Sequence, residues 1–335
     1  MSRSVVYFRA DGNSQIGLGH VYRSLALVDM LQADFECIFL IRTPSRSLVT
    51  MIEKRCKVVA LPASTSNSEE TNFIAQKYLT GNEIVVLDGY HFDTAYQTTL
   101  KHTGIQLVCI DDIYAYHFVA DVLINHAGGV QEEWYSKETY TMCCFGLEYA
   151  LLQAPFLSYA QTKQPQSVSI DSTNMFLCLG GADPNNDILQ ILKELEQQLI
   201  TSKLYLVLGG AYQHHSTLDE FIKQTTLSIQ KLQNLDTSEM LFYMQQCGIG
   251  IVSPSTISFE FLSTGGLLYL VQTASNQEGI FNYFIKESLA FDWKEDYPVV
   301  TTSSRVAQAL KKQKQYFSGG SANNLRTVFK KIALC

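Results

Sequence analysis

One turn in this sequence carries the residues best suited to acid–base chemistry. It reads Gly17-Leu18-Gly19-His20 and lies between an apolar strand-like segment and a helix-like segment. Glycines let a backbone approach a ligand closely, and the dipole of a helix disfavours a positive charge at its first residues. A neutral imidazole at this place would accept a proton near neutral pH. His20 is therefore our candidate for a general base, with a helix-capping histidine as an equally good interpretation of the pattern.

Arg23 follows His20 by three residues, so the two side chains share a helix face and the guanidinium can contact an anion. A dinucleotide-binding turn is the main competing interpretation. However, Tyr22 replaces the third glycine of that fingerprint, and Arg42 stands near the end of the second strand, where a ribose-binding acid is expected. The pattern therefore argues against a nicotinamide enzyme.

The elements that position this turn form a repeating pattern of strands and helices. Short apolar runs alternate with helix-period segments, and continuous runs such as 84–87 are typical of strands buried on both faces of a parallel sheet. A polar segment, residues 158–174, interrupts the pattern and predicts a linker. We therefore predict two Rossmann-like α/β domains facing each other across a cleft, residues 1–157 and 175–335. The predicted strands are 5–9, 37–41, 57–61, 83–87 and 106–110, then 175–179, 204–208, 248–252 and 267–271.

Composition narrows the class of protein. The chain has 335 residues, 46% of them hydrophobic and 17% charged, and a net charge of −7 without any basic block. A nucleic-acid binder would need a basic stripe. No segment has the length of a membrane-spanning helix or the pattern of a signal peptide. The cysteines lie mostly in apolar runs without a C-x-x-C pair, which favours reduced thiols over disulfides or zinc. We expect a cytoplasmic protein with no nucleic-acid partner and no stable membrane insertion.

Polar and glycine residues follow most predicted strands, at the sheet edge where α/β proteins bind ligands. In the second half, Gly180-Gly181 precede a helix predicted to begin near Asp187, and Ser255-Thr256 precede another. Both turns offer N–H groups and hydroxyls to phosphate oxygens. Glu260, one turn inside the later helix, can accept hydrogen bonds from ribose hydroxyls, unless it is a solvated surface charge. The ten residues 63–72 are polar and predict a surface loop before a helix.

These motifs together resemble a known family, the UDP-2,4-diacetamido-2,4,6-trideoxy-β-L-altropyranose hydrolases of pseudaminic acid biosynthesis, to which spore-coat polysaccharide proteins are related. The resemblance implies a glycosyltransferase-B-like fold, like that of the lipid-linked N-acetylglucosaminyltransferase of peptidoglycan synthesis. It also implies a UDP-sugar substrate and no metal or redox cofactor. The motifs that carry it are segments 9–23, 88–90, 111–112, 120–125, 149–152 and 180–185, with Ser255-Thr256, Glu260 and Asn276-Gln277.

The resemblance also implies roles for individual residues. His20 would activate a water for attack on the anomeric carbon of the sugar, with inversion and release of UDP. The implied sugar-binding residues are Asp11, Asn13, Gly19, Arg23 and Tyr90. The implied nucleotide-binding residues are Gly180, Gly181, Ser255, Thr256, Glu260, Asn276 and Gln277.

The sequence departs from the family at two motifs. The family commonly has Arg-x-Glu-Phe after the segment 149–152, whereas this chain has Gln153-Ala154-Pro155-Phe156. Asn125 is followed by His126 in place of the usual asparagine-rich run. Two alternatives to hydrolysis therefore stay open, a glycosyltransferase that uses a UDP-sugar donor and a non-catalytic nucleotide-binding protein. The first half has no basic cluster of the kind that transferases of this fold often turn towards a membrane.

Overall fold

The structure, a computed structural model, describes residues 3–13, 17–63, 66–162, 174–181, 183–199, 202–297 and 303–334. The chain divides into two compact units, each with its own sheet. Unit 1 comprises Met1–Ala154 and Gly320–Cys335, and unit 2 comprises Pro155–Gly319. Across the described ranges, no helix combines the length and the apolar character needed to cross a membrane.

Unit 1 is built on a seven-stranded parallel sheet. Its spatial order is β3-β2-β1-β4-β5-β7-β9. Successive strands are added on one side of β1 as far as β3 and on its other side from β4 onwards, so the switch point lies between β1 and β4. Such a switch point is where open α/β sheets bind ligands. The strands are β1 (Val5–Ala10), β2 (Glu36–Arg42), β3 (Lys57–Leu61), β4 (Ile84–Asp88), β5 (Gln106–Ile110), β7 (Val122–Asn125) and β9 (Met142–Phe145), while β6 (His117–Phe118) pairs with β8 (Ser136–Lys137). The helices are α1 (Gly19–Leu31), α2 (Arg46–Glu53), α3 (Asn67–Tyr78), α4 (Thr94–Lys101) and α13 (Ser321–Ile332).

Unit 2 repeats this design with six parallel strands. Its order, β12-β11-β10-β13-β14-β15, places a second switch point between β10 and β13. The strands are β10 (Met175–Cys178), β11 (Lys203–Leu208), β12 (Ser228–Gln233), β13 (Ile249–Val252), β14 (Leu267–Leu270) and β15 (Phe291–Asp292). The helices are α5 (Ala154–Thr162), which begins at the boundary between the units, then α6 (Asp187–Gln197), α7 (His215–Gln224), α8 (Thr237–Met244), α9 (Thr256–Thr264), α10 (Glu278–Lys286), α11 (Trp293–Asp296) and α12 (Ser303–Tyr316).

The prediction of two Rossmann-like α/β domains is confirmed, and all nine predicted strands are present to within a residue or two. The continuous apolar runs are the central strands, buried on both faces; β4, for example, is buried at all five positions. The sequence pattern does not predict β12. This strand reads Ser-Ile-Gln-Lys-Leu-Gln and has no fully buried residue, because it lies at the edge of its sheet.

The predicted domain boundary is wrong at the C-terminus, because α13 belongs to unit 1 rather than to residues 175–335. Leu325 is fully buried, and the ring of Phe329 packs edge-on against Phe35 with centroids 6.3 Å apart. Asp34 forms ion pairs with Arg326 at 2.7 Å and with Lys330 at 3.0 Å. Apolar burial and paired charges thus hold this helix on unit 1.

Two predicted loops also differ. The first residues of the linker predicted at 158–174 continue α5 as far as Thr162, and residues 163–173 lie outside the described part of the chain. The polar segment predicted as a surface loop at 63–72 contains the first turns of α3, with Ser66 as its N-cap. Within this segment Glu70 is almost completely buried, because its carboxylate forms an ion pair with the buried guanidinium of Arg9.

Candidate active site

The His20 turn lies at the switch point of unit 1, where β1 ends beside β4. Asn13 and Gly17 close the loop before it through two backbone hydrogen bonds, of 3.2 and 2.9 Å. Helix α1 begins at Gly19, and a Cβ there would meet none of the described atoms within 4 Å. The start of α1 therefore faces open space, as a ligand-binding turn requires.

His20, Arg23, Asp88 and Asp112 form one hydrogen-bonded cluster at this switch point. The Nδ1 atom of His20 lies 2.7 Å from Oδ1 of Asp88. Arg23 donates to both oxygens of Asp88, from Nε at 2.9 Å and from Nη2 at 2.6 Å, and its Nη1 donates to Oδ2 of Asp112 at 2.8 Å. The shared helix face predicted for His20 and Arg23 is confirmed, with 3.3 Å between Nδ1 and Nη2. Each nitrogen of the Arg23 guanidinium already has a carboxylate partner in this structure. Substrate binding by Arg23 stays a prediction.

Burial and charge determine the protonation of this cluster. Asp88 is fully buried; burial opposes its ionisation, but the charge and hydrogen bonds of Arg23 hold the pKa of Asp88 below its ordinary value. An ionised carboxylate only accepts hydrogen bonds, so in the neutral imidazole of His20 Nδ1 carries the proton and Nε2 carries the lone pair. None of the described residues forms a hydrogen bond with Nε2, and the side chain is 11% exposed. The cluster can therefore take up a proton at Nε2.

Tyr90 covers one side of His20. The two rings meet edge to face, with centroids 4.6 Å apart and an angle of 87° between the planes. The hydroxyl of Tyr116 donates to the backbone oxygen of Tyr90 at 2.9 Å and so fixes the turn after β4. The Tyr90 side chain is nevertheless 43% exposed. It is free to contact a ligand at His20, and its predicted role in binding sugar stays a prediction.

Asp11, also predicted to bind substrate, is held by a buried ionic network. Arg9 is fully buried and donates to both oxygens of Asp11, at 2.6 and 2.7 Å, and to both oxygens of Glu70, at 2.8 and 3.0 Å. The backbone N–H of Arg42 donates to Asp11 at 2.9 Å, and the Tyr96 hydroxyl donates to Glu70 at 2.7 Å. These bonds join the ends of β1 and β2 to α3 and α4. Asp11 thus fixes where the His20 turn begins, and its contact with sugar stays a prediction.

In unit 2, the Gly180-Gly181 turn follows β10 at the second switch point. Gly180 has a φ of +86°, a conformation that favours glycine. Gly209, at the end of β11, packs against the same turn, since a Cβ there would lie 2.2 Å from the oxygen of Gly180 and 2.4 Å from that of Gly181. The N–H of Ala211 donates to the Gly181 oxygen at 3.0 Å. These contacts hold the turn in one shape.

The two helix starts beside this turn differ. Asp183 caps α6, because its carboxylate accepts the N–H groups of the first two residues of that helix at 2.8 and 3.0 Å. Ser255 precedes α9 and makes no capping hydrogen bond through its side chain; its Oγ lies 3.1 Å from Oγ of Ser253. The start of α9, at Thr256, is therefore better placed to bind an anion than that of α6.

Glu260 is buried within α9 and only 7% exposed, which excludes the solvated surface charge. It lies near the end of β10, where burial, with a smaller contribution from the Glu260 charge, raises the pKa of Cys178 to about 11. Asn276 is exposed in a short turn after β14. The side-chain oxygen of Gln277 accepts the N–H of Thr273 at 2.8 Å. Nucleotide binding by these residues stays a prediction.

The sequence reasoning left three contributors to these turns without a role. Asp88 ends β4 and Asp112 follows β5 by two residues, so both carboxylates lie at the ligand-binding edge beside the His20 turn. Their strand-end position is the signal that could have identified them. Gly209 follows a strand in the same way. Within the described residues, no three His, Cys, Asp or Glu side chains cluster as metal ligands would.

The replaced motif at Gln153 lies beside a cation from another part of unit 1. Arg55 follows α2 and donates from Nη2 to the side-chain oxygen of Gln153 at 3.1 Å. Its Nη1 lies 3.4 Å from Oδ2 of Asp29, which also accepts the N–H of Ala154 at 3.3 Å. A positive charge is thus present beside Gln153, although the motif itself lacks one.

Three known proteins are similar to this chain over most of its length. A UDP-2,4-diacetamido-2,4,6-trideoxy-β-L-altropyranose hydrolase of Campylobacter jejuni is 26% identical over 294 residues, which are 86% of this chain and 99% of that protein. The spore coat polysaccharide biosynthesis protein SpsG of Bacillus subtilis is 21% identical, over 84% of this chain and 81% of its own length. An uncharacterized protein of Methanocaldococcus jannaschii is 23% identical over 83% of this chain, which spans only 57% of that protein. The resemblance to the hydrolase family is thereby supported. No family model matches the chain.

Solved structures confirm the fold. MurG of Acinetobacter baumannii superposes with a TM-score of 0.64 at 11% identity, covering 98% of this chain and 99% of that one. A glycosyltransferase of Rickettsia africae superposes with a TM-score of 0.66 at 12% identity, covering 99% of both chains. The architecture is that of glycosyltransferase-B proteins, as the resemblance implied.

Proposed function

We propose that this chain is a nucleotide-sugar hydrolase that releases UDP from a UDP-linked diacetamido-trideoxy sugar with inversion at the anomeric carbon. The observation that carries the proposal is the His20–Asp88 pair at the switch point of unit 1. Asp88 accepts the Nδ1 proton, and Nε2 is left without a partner among the described residues. A histidine oriented in this way is a general base that needs only a water and an electrophile.

The chemical step follows from that orientation. A water donates a proton to Nε2 of His20 while its oxygen forms a bond to the anomeric carbon. The bond from this carbon to the UDP oxygen breaks, and UDP leaves with the electron pair. The imidazolium that forms is stabilised by Asp88, whose own charge Arg23 maintains. Attack by water on the side opposite UDP inverts the anomeric centre.

The nucleotide is assigned to unit 2. Its diphosphate would meet the Gly180-Gly181 turn and the start of α9 at Ser255 and Thr256, while Glu260 would accept hydrogen bonds from the ribose. Asn276 and Gln277 complete the proposed set. The uncapped start of α9 supports this assignment, since its N–H groups and hydroxyls suit an anion. No metal or redox cofactor takes part in the proposed step.

The similarities support the substrate class. The C. jejuni relative is a hydrolase of a UDP-diacetamido sugar and aligns over nearly its whole length. The B. subtilis relative belongs to polysaccharide biosynthesis, and the structural neighbours include a glycosyltransferase. Together they support an enzyme that processes sugar nucleotides, and the His20 cluster favours hydrolysis as its reaction.

The test is turnover of UDP-2,4-diacetamido-2,4,6-trideoxy-β-L-altropyranose in water enriched in ¹⁸O. We expect release of UDP, ¹⁸O on the sugar and none on the phosphate, and an inverted anomer in the first NMR spectra. His20→Ala should lose on the order of 10²–10⁴-fold in kcat. His102→Ala is the matched control, because His102 is exposed at the end of α4 and outside the cluster.

Three outcomes would contradict the proposal. Full activity in His20→Ala would remove the general base. UDP release that depends on an added acceptor would indicate a glycosyltransferase. Tight binding of UDP without turnover of this sugar would favour a non-catalytic nucleotide-binding protein.

A further inference from the structure

Asp112 carries an acceptor atom that has no hydrogen-bond partner in the described part of the chain. Its Oδ2 accepts the Nη1 of Arg23 at 2.8 Å, whereas its Oδ1 is buried and forms no hydrogen bond with any described residue. Buried carboxylate oxygens are normally paired, and an unpaired one indicates a ligand or a water that supplies the donor. The Asp112 side chain as a whole is 35% exposed, so a ligand can reach this carboxylate from solvent.

The loop that carries Asp112 is held in a strained shape. Tyr114 has a φ of +58°, which is costly for an aromatic residue. The carboxylate of Asp111 accepts the N–H of Ile113 at 3.1 Å and that of Tyr114 at 2.9 Å. The hydroxyl of Tyr135 also donates to the backbone oxygen of Asp111 at 3.2 Å. Strain maintained by this many bonds is typical of a loop that holds a functional side chain in place.

The surroundings of Asp112 indicate what the missing donor is. The guanidinium of Arg23 contacts both Asp112 and His20, so the Asp112 carboxylate belongs to the reaction centre. Tyr90 lies beside both groups, and its ring meets His20. Its hydroxyl interacts with the Asp112 carboxylate without completing a hydrogen bond of normal geometry, and burial together with the Asp112 charge raises the pKa of this hydroxyl to about 12. Because Tyr90 is 43% exposed, a ligand at Asp112 can also contact its ring. A carboxylate oxygen next to an aromatic face matches an acetamido group, which has an N–H donor and a methyl.

We propose that Asp112 recognises an acetamido group of the sugar, accepting its N–H at Oδ1 while the methyl packs against Tyr90. This inference rests on the proposed function for the identity of the substrate. It adds a residue that selects an N-acetylated sugar over one with a hydroxyl at the same carbon. A hydroxyl could donate to the carboxylate as well, but it would leave the aromatic face of Tyr90 uncovered.

The experiment measures binding, so that it does not depend on turnover. Calorimetry compares UDP with the UDP-diacetamido sugar, using His20→Ala protein to prevent hydrolysis. We expect Asp112→Asn, made in that background, to leave UDP affinity within twofold. It should weaken the UDP-sugar by about tenfold to a hundredfold, the usual effect of losing a hydrogen bond to a charged group. Asp34→Asn is the matched control, since it also removes an ion-paired aspartate of unit 1 but lies before β2.

A second arm separates recognition from damage to the cluster. With His20 intact, Asp112→Asn should raise KM for the diacetamido substrate and should reduce the ratio of kcat/KM for this substrate to kcat/KM for a UDP-sugar with hydroxyls at those carbons. Equal weakening of UDP and UDP-sugar, or an unchanged preference, would overturn the inference. If the wild type turns over no UDP-sugar, the proposed function fails, and the binding arm still decides whether Asp112 contacts the sugar.

Discussion

Asp88→Asn is the substitution that tests the His20 site most directly. Asp88 is fully buried and accepts one hydrogen bond from His20, two from Arg23 and a longer one, of 3.5 Å, from the Ser24 hydroxyl. An asparagine keeps the shape but must turn its NH₂ group towards one of these donors. If the NH₂ group faces His20, it donates to Nδ1, so the proton moves to Nε2 and the base is lost. The wrong tautomer of a catalytic histidine can cost about 10⁴-fold in kcat, and the loss of general-base catalysis costs about 10²-fold at the least.

The same substitution also lowers the free energy of unfolding, and the contacts of Arg23 set limits on how much. Removing one partner of a buried ion pair costs about 3–5 kcal/mol. Arg23 keeps Asp112 as a second partner, at 2.8 Å, so we expect about 2–3 kcal/mol in the free energy of unfolding. For a domain of this size that lowers the melting temperature by about 5–10 °C. Activity measured well below the transition therefore reports on His20 and not on unfolding.

A double-mutant cycle separates positioning from general damage. If Asp88 acts only through His20, the variant with both His20→Ala and Asp88→Asn should be no slower than His20→Ala alone. Asp121→Asn is the control, because it breaks the 2.7 Å ion pair with Lys101 at the opposite edge of the same sheet. It should lower the melting temperature without changing kcat. The reasoning is refuted if folded Asp88→Asn keeps wild-type kcat, or if the two substitutions multiply.

The remaining predictions concern the turn in unit 2 and the ionic network in unit 1. Gly209→Ala should weaken UDP binding at least about tenfold by calorimetry, because its Cβ would overlap the oxygens of the Gly180-Gly181 turn. Gly210→Ala is the control and should bind UDP normally, since its Cβ would meet none of the described atoms within 4 Å. Ionic contacts hold the pKa of Glu70 and of Asp88 below ordinary values of 4.5 and 3.8, in spite of burial. The stability they contribute is complete above those values and is lost as pH falls through the lower pKa of the folded state. Thermal melts from pH 7 to 3 should therefore show unit 1 losing stability below about pH 4. Glu70→Gln should be less stable at pH 7 and less sensitive to acid, and equal acid slopes in both proteins would contradict this account.

The sequence predicts the strands and turns of this fold but not the pairs of charged side chains that connect them. Each central strand is a local apolar run, so its period and length are visible within a few residues. The partner of His20 is different, because Asp88 lies 68 residues away and meets it only through the pairing of β1 with β4. Glu70 is a clearer example of a residue whose place the local sequence does not predict. It lies in a polar segment that predicts an exposed loop, and its burial depends on an ion pair with Arg9, 61 residues before it. Local patterns contain no information about such distant charge pairs.

The return of α13 to unit 1 has the same explanation. Its sequence predicts a helix with one apolar face, and that face would suit the core of either unit. What assigns it to unit 1 is contact with Phe35 and the ion pairs to Asp34, nearly 300 residues earlier in the chain. A pattern of hydrophobic residues specifies that a face must be buried but not where.

The two switch points share one geometry and carry different chemistry, which explains the division of labour in the proposed reaction. In unit 1, His20, Arg23, Asp88 and Asp112 form one charged cluster at the strand ends, and Nε2 of His20 is the proton acceptor of the proposed reaction. In unit 2, the corresponding turns are glycines and hydroxyls, with buried carboxylates at Asp183, which caps α6, and at Glu260, which the proposal assigns to the ribose. A parallel sheet presents its strand ends at one edge, so the same fold can hold an anion or build a base, depending on those few residues. Substitutions of His20 or Asp88 should therefore change kcat at constant UDP affinity, and substitutions in the glycine turns should change UDP affinity at constant kcat.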